Sequence, residues 1–347
     1  MTNRNPAASQ PLPSLKQAVN GRFLIGTAIR SEVLEKPDTS SLLAEQFDCI
    51  TSENELKPEP IHPKPNEFNF TAGDRLAAFA QKNKMKVIGH TLCWHMQSPA
   101  WMFEGPDGKP LPREEALKNL QEHIRTVVTH YKGQILGWDV VNEAIDNGDG
   151  YLRDTPAKRA IGDDFIIKAF EFAAAADPSV ELYYNDYNNE SGAKREKTIR
   201  LIREIKAKGL RINAVGIQGH WQLDRPDLKT IEEAILAYNK EGVKVMITEL
   251  DIDVLPVTLK GPAPDPYRNG CPDEIQGQLA KRYADIFTLF AKHSDKITRV
   301  TFWGLSDGHT WLNNWPVKGR SNHPLLFDRQ LEPKPAYNAV IESLESK

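Results

Sequence analysis

The chain has 347 residues, 40% hydrophobic and 26% charged, a balance typical of a folded globular protein and unlike that of a disordered chain or a coiled coil. Its 44 Lys and Arg against 47 Asp and Glu leave a net charge of −3, so there is no basic field for nucleic acid or an anionic membrane surface, and no run of about 18 apolar residues that could cross a bilayer. The three cysteines, Cys49, Cys93 and Cys271, include no C-x-x-C pair, which argues against a disulfide framework or a zinc site; Cys49 and Cys93 sit in apolar runs and read as buried, inert thiols.

From the N-terminus, residues 1–13 read as a flexible tail and 14–347 as one domain. The first ten residues are polar and carry no apolar stretch of the kind a secretory leader needs. The expected compartment is therefore cytoplasmic if this N-terminus is native, and secreted or periplasmic if a leader has been removed. Short β-rich runs follow at 23–29, 49–51, 86–92, 137–142, 181–187, 214–220, 244–252 and 299–307. Most are continuous apolar runs rather than alternating ones, as expected of parallel strands covered on both faces. The segments between them have helical periodicity. Leu117, Leu120, Ile124, Val127 and Tyr131 recur at steps of three and four within 112–133. Ile199, Ile202 and Ile205 share a face in 193–209, and Ile275, Leu279, Tyr283, Ile286 and Phe290 share one in 273–296. The charge runs Lys194–Lys197 and Lys206–Lys208 read as solvated helix faces. Alternation of this kind predicts an α/β fold, a single (β/α)8 barrel. A doubly wound open sheet is the alternative, but no glycine-rich phosphate loop follows the first strand. The Pro/Gly-rich 253–272 stretch reads as a long loop of functional or mobile character.

In such a barrel the chemistry lies at the C-terminal strand ends. Those ends carry Glu53, Asn54 and Lys57, then His90, Trp94 and Gln97, then Asn142 and Glu143. The later ones carry Asn185, Asp186, Tyr187 and Asn188, then Gln218, His220 and Trp221, then Glu249 and Asp251, and finally Trp303, Asp307, His309 and Trp311. Five tryptophans, Trp94, Trp101, Trp221, Trp303 and Trp311, fall at or just past strand ends, whereas Trp138 starts a strand and reads as core. One rim tryptophan is explained by packing. Five among carboxylates, amides and histidines suit a neutral, hydroxyl-rich ligand whose ring faces stack and whose hydroxyls hydrogen-bond.

Glu143 and Glu249 stand inside apolar strand ends, where a carboxylate needs a partner or a purpose. A structural ion pair, for instance with Lys57 or Lys86, explains one such residue. Two on opposing strands of one barrel mouth suit glycosidic-bond hydrolysis. One carboxyl must hold a proton for the leaving oxygen while the other is ionised, with burial raising one and donors such as His220 and Asn142 holding the other down. His90 and His95 have no acidic residue at metal-ligand spacing, so metal-assisted hydrolysis is disfavoured.

WDVVNEA (138–144) and ITELDI (247–252) resemble the acid/base and nucleophile signatures of glycoside hydrolase family 10, the β-1,4-xylanases. TSENELKPE (51–59), GHTLCWH (89–95), YYNDYN (183–188), GIQGHW (216–221), FWGLSDGHTW (302–311) and PLLFD (324–328) resemble further blocks of that family in order. The resemblance implies that Glu143 is the general acid/base and Glu249 the nucleophile. It implies that Asn142 binds the 2-hydroxyl of the reacting sugar, and that His220 holds Glu249 with Asp251 behind it. Glu53, Asn54 and Lys57 would bind the next sugar toward the non-reducing end, while His90, Trp94 and Gln97 surround the reacting one. Tyr187 and Gln218 would lie near the leaving-group side and the nucleophile. Trp303 and Trp311 would wall the reacting sugar, with Trp303 crowding C5 in favour of xylose. The expected activity is a retaining endo-1,4-β-xylanase acting on xylan and xylo-oligosaccharides as a monomer, with no metal or cofactor. A Schiff-base aldolase using Lys57 and a non-catalytic sugar-binding barrel are the rivals.

Overall fold

The computed structural model describes residues 13–256 and 265–345. The tail expected at 1–13 lies outside the described residues except for Pro13, whose carbonyl accepts from the Tyr337 hydroxyl at 2.9 Å. Part of the expected 253–272 loop also lies outside them.

Among the described residues there are nine strands: β1 (Leu24–Ile29), β2 (Cys49–Ser52), β3 (Lys86–His90), β4 (Gly137–Asn142), β5 (Glu181–Asp186), β6 (Ala214–Ile217), β7 (His220–Gln222), β8 (Lys244–Asp253) and β9 (Ile297–Phe302). All pair in parallel. The order runs β6-β5-β4-β3-β2-β1-β9-β8, and a β6–β8 pairing closes it into an eight-stranded barrel. Closure removes every edge from that sheet. The apolar character of the strands follows, because their outer faces lie under helices and their inner faces fill the barrel. Cys49, Ile88, Tyr183, Ala214 and Met246 from five different strands pack together as one such filling, with Leu24 and Leu136 against them.

The outer helices match the periodicity closely. Leu120, Ile124 and Val127 are buried in Arg113–His130, Ile199, Ile202 and Ile205 in Gly192–Ala207, and Leu279, Tyr283, Ile286 and Phe290 in Asp273–Lys292. Asp227 caps Leu228–Lys240 by accepting from the Thr230 N–H at 2.7 Å. Cys49 and Cys93 are buried, and burial pushes both thiols up to about 12.

Three expectations need correction. The 214–220 run is not one strand. It breaks after Ile217, turns at Gly219 (φ +83°) and resumes as β7, which pairs only with β8 in the register His220↔Asp251. The 299–307 run leaves the sheet after Phe302, although the Trp303 N–H still donates to the Leu250 carbonyl at 3.1 Å. Lys194 is not on a solvated face. It is buried, and its ammonium lies 2.6 Å from Asp186 Oδ1.

Candidate active site

The C-terminal strand ends surround a cleft of about 610 Å3. Glu53, Asn54, Lys57, His90, Trp94, Gln97, Asn142, Glu143, Tyr187, Gln218, His220, Glu249, Trp303 and Trp311 all line it. Asp251 lies one layer behind.

Glu249 and Asp251 are two residues apart on β8, so the pleat sends both side chains to the same face. Glu249 is buried, and its two oxygens have different donors: Asn185 Nδ2 at 2.8 Å on Oε1 and His220 Nε2 at 3.1 Å on Oε2. His220 Nδ1 lies 3.0 Å from Asp251 Oδ1, and Trp311 Nε1 donates to Asp251 Oδ2 at 2.8 Å. An imidazole flanked by carboxylates at both nitrogens can donate to both only as the imidazolium. The charges agree. Burial works against the His220 cation, but Asp251 and Glu249 lift its pKa to about 10. Burial likewise opposes ionisation of Glu249, and the His220 hydrogen bond and charge overcome it, leaving the carboxyl below its ordinary value. For Asp251 burial wins, and its value is raised.

The break between β6 and β7 is what makes this contact. Gly219 turns the chain so that His220 enters the register of Asp251. Asn185 has room because Gly216 lies opposite: a Cβ there would meet Asn185 Oδ1 at 2.2 Å. Thr248 Oγ1 donates to that same Oδ1 at 2.6 Å and leaves the amide nitrogen directed at Glu249.

Glu143 immediately follows β4 with φ +57°, a left-handed conformation that costs a non-glycine residue about 1–2 kcal/mol. The surrounding structure holds it there. Its N–H donates to the Asn185 carbonyl at 2.9 Å, and its own carbonyl accepts from Arg153 Nε at 2.9 Å. The half-buried carboxyl accepts from Trp94 Nε1 at 3.0 Å and from Gln218 Nε2 at 2.9 Å. The Gln218 side chain thus serves Glu143, while the Gln218 carbonyl accepts the Glu249 N–H at 2.7 Å.

Around this pair, His90 Nδ1 lies 3.0 Å from Asp139 Oδ2. Asn142 Oδ1 accepts from Asn185 Nδ2 at 3.0 Å. At the Glu53 end, Lys57 Nζ donates to Asn54 and Gln97 at 3.0 and 2.9 Å and sits 4.8 Å over the Trp94 ring. Burial lowers the Lys57 pKa against the pull of Glu249, Glu53 and Glu143. At the other end, the Tyr187 hydroxyl accepts from Arg153 Nη2 at 2.8 Å and Asn147 Nδ2 at 2.6 Å. Below it, Lys194 binds Asp186 and the Tyr187 carbonyl, and burial still pushes Asp186 up to about 6.

The aromatic inventory changes by one. Trp101 does not reach the cleft; its indole donates to the Pro63 carbonyl at 3.1 Å and packs on His62. Trp315, 58% exposed, takes a place in the lining instead. The sequence reading also gave no role to Asn185, Arg153 or Arg30. Asn185 is the first amide of the YYNDYN block and was visible as a strand end. Arg153 and Arg30 lie in connections without periodicity, where no local signal marks them. Among the described residues, no group of three or more His, Cys, Asp or Glu is arranged to hold a metal ion.

The sequence model of glycosyl hydrolase family 10 matches residues 14–343. Endo-1,4-beta-xylanase A of Xylanibacter ruminicola is 41% identical over 98% of this chain and 95% of its own. A GH10 endoxylanase retrieved from sugarcane soil metagenome superimposes with a TM-score of 0.91 at 43% identity, covering 95% of this chain and 99% of its own. A mutant structure in complex with xylotriose superimposes with a TM-score of 0.90 at 40% identity over 95% of this chain and 99% of its own.

Proposed function

The chain belongs to glycosyl hydrolase family 10, and on that premise we propose how this endo-1,4-β-xylanase cuts the internal β-1,4-xylosidic bonds of xylan and xylo-oligosaccharides with retention. Glu143, in its protonated form, gives its proton to the leaving glycosidic oxygen while the Glu249 carboxylate attacks the anomeric carbon. A covalent xylosyl-enzyme results. Glu143, now ionised, takes a proton from water, the water oxygen attacks the anomeric carbon, and Glu249 leaves as carboxylate.

The observation that supports these roles best is the contrast between the two carboxyls. Glu249 is buried against a charged donor and an amide, which keeps it ionised and aimed. Glu143 is half-buried at the open cleft, with neutral donors from Trp94 and Gln218. Asn142 would bind the 2-hydroxyl of the reacting sugar; His90, Trp94 and Gln97 would surround that sugar, and Trp303 and Trp311 would wall it. Trp303 would crowd C5, where xylose has no hydroxymethyl group. Glu53, Asn54 and Lys57 would take the next sugar toward the non-reducing end, and Tyr187 the leaving-group side. All of these groups lie on one chain, which supports action as a monomer.

Leaving-group dependence tests the assignment. In Glu143→Ala, xylan turnover is expected to fall by about 10²–10⁴-fold, the usual worth of general acid catalysis. Release of a good leaving group such as dinitrophenolate should be far less affected in the first step, because it needs little protonation. In Glu249→Ala both substrates should fail. Equal losses on both substrates in Glu143→Ala, or retained activity in Glu249→Ala, would contradict the roles.

A further inference from the structure

Outside the cleft, the connection 62–70 between the helices Pro58–Ile61 and Thr71–Lys82 is held by a column of rings that the catalytic reading does not use. His62 stacks on Phe68 with centroids 3.8 Å apart, Phe68 on Phe70 at 5.7 Å, and Phe70 on His130 at 3.7 Å. At the inner end His62 lies within 10° of parallel to His123, and the two Nδ1 atoms face each other at 3.3 Å. His123 and His130 belong to the helix Arg113–His130, so the column fastens the connection to that helix at both ends. Trp101 closes the inner end, its ring edge-on to His62 and its indole on the Pro63 carbonyl.

We propose that the His62–His123 pair is an acid-operated latch: protonation parts the two rings, the 62–70 connection lifts from the Arg113–His130 helix, and the Lys57–Gln97 side of the cleft loosens with it. Geometry is the first argument. One proton between the facing nitrogens makes a hydrogen bond, whereas two set N–H groups head to head. Both rings are buried, and His62 Nε2 has no hydrogen-bond partner among the described residues, so a cation on His62 finds neither water nor an acceptor at that atom. Connectivity is the second. Lys57 immediately precedes Pro58–Ile61, and its Nζ donates to Gln97 Oε1 at 2.9 Å. The Glu59 N–H donates to the Gln97 carbonyl at 2.8 Å, and the Asn69 N–H donates to the Ile61 carbonyl at 2.9 Å. The connection and the cleft wall thus share one short helix.

The charged groups around the column do not rescue a protonated pair. Lys64 and Glu67 pair with each other at 3.3 Å on the exposed face of the connection, where solvent screens them. At the outer end His130 Nε2 lies 2.7 Å from Asp74 Oδ1, so a proton on that ring meets a carboxylate. Tyr131 adds a neutral hydroxyl, which donates to the Phe70 carbonyl at 3.4 Å. Burial holds His62 down to about 4. Burial and the neighbouring His62 hold His123 down to about 3, against the Leu92 carbonyl, which favours its cation. Opening returns both rings to water and to their ordinary 6.5. The closed connection is therefore favoured in full above pH 6.5, and that advantage is lost as pH falls toward 4.

Hydrogen exchange read by mass spectrometry between pH 7 and pH 4, corrected for the intrinsic pH dependence of exchange, tests the latch. In the wild type, protection of the 62–70 peptide should fall by about 10–100-fold, the linkage expected of one histidine displaced from 6.5 to about 4. Protection of the Asp273–Lys292 helix should hold. The double variant His62→Phe/His123→Leu keeps Lys64, Glu67, Asp74 and His130, so their titration stays the same while that of the pair is gone; its 62–70 protection should be level with pH. The KM for xylohexaose, taken as the ratio of wild type to variant, should rise severalfold over the same range, a readout that rests on Lys57 and Gln97 binding substrate as proposed above. Unchanged 62–70 protection in the wild type would overturn the latch, as would an equal fall in the double variant. If the double variant does not fold, the wild type alone decides: a fall shared equally by the Asp273–Lys292 helix is global unfolding and overturns the proposal. Protection lost with the KM ratio unmoved would overturn the coupling to the cleft.

Discussion

His220 concentrates the electrostatics of the site in one side chain. Its pKa of about 10 in the fold lies above the ordinary 6.5, so its protonation contributes stability in full below pH 6.5, and that contribution is lost as pH rises toward 10. In His220→Gln the stability deficit, measured by urea unfolding, should therefore be widest below pH 6.5 and shrink toward pH 10. The same substitution removes the charge that lowers Glu249, so the acidic limb of the kcat/KM profile should move to higher pH, by about one unit. An unmoved acidic limb would mean that His220 does not set the charge state of Glu249. At this scale the sequence was most legible where chemistry conflicts with environment: Glu143 and Glu249 are carboxylates inside apolar strand ends, a conflict that needs no structure to see. Lys194 gave the opposite lesson. Within its run it looks like any surface lysine, and only the fold brings it to buried Asp186. Lys194→Met leaves that carboxylate uncompensated, so the protein should lose about 3–5 kcal/mol of stability, readable as a fall in the urea midpoint. A loss under 1 kcal/mol would show that the pair is not structurally important.

Individual elements turn strand patterns into a site through small residues. The β6–β7 break at Gly219 lets one stretch of chain supply both the Gln218 carbonyl that binds the Glu249 N–H and the His220 ring that binds its carboxylate. Gly216 clears the space for Asn185. Gly216→Ala should force Asn185 off Glu249, lowering kcat more than it raises KM and costing about 1–3 kcal/mol through overpacking. Rates equal to wild type would mean that Asn185 does not orient the nucleophile. Element existence was readable from apolar runs, because strands covered on both faces leave an unmistakable composition. Element ends were not. The 299–307 run keeps Trp303 and Leu305 beyond Phe302, where its strand ends, and the 214–220 run breaks after Ile217 and resumes at His220, because pairing depends on neighbouring strands that the local sequence does not name. Trp101 was placed at the rim and Trp315 was given no place for the same reason: both lie in connections, and which one turns toward the cleft depends on how the loops fold back.

Across the whole molecule, one parallel barrel makes residues from 53 to 311 converge on a single cleft. Closure matters more than any single contact, because β6–β8 pairing sets Asn185 and Gln218 beside Glu249 and Glu143. The barrel was predictable from alternation alone, and the closed order confirms it. The most direct test of the central claim is proton NMR of fresh enzyme with xylohexaose, following which anomer appears before mutarotation. The account predicts the β-anomer first, from internal cleavage through a covalent intermediate on Glu249. An initial α-anomer would contradict it, because an inverting site would make Glu249 a base rather than the nucleophile.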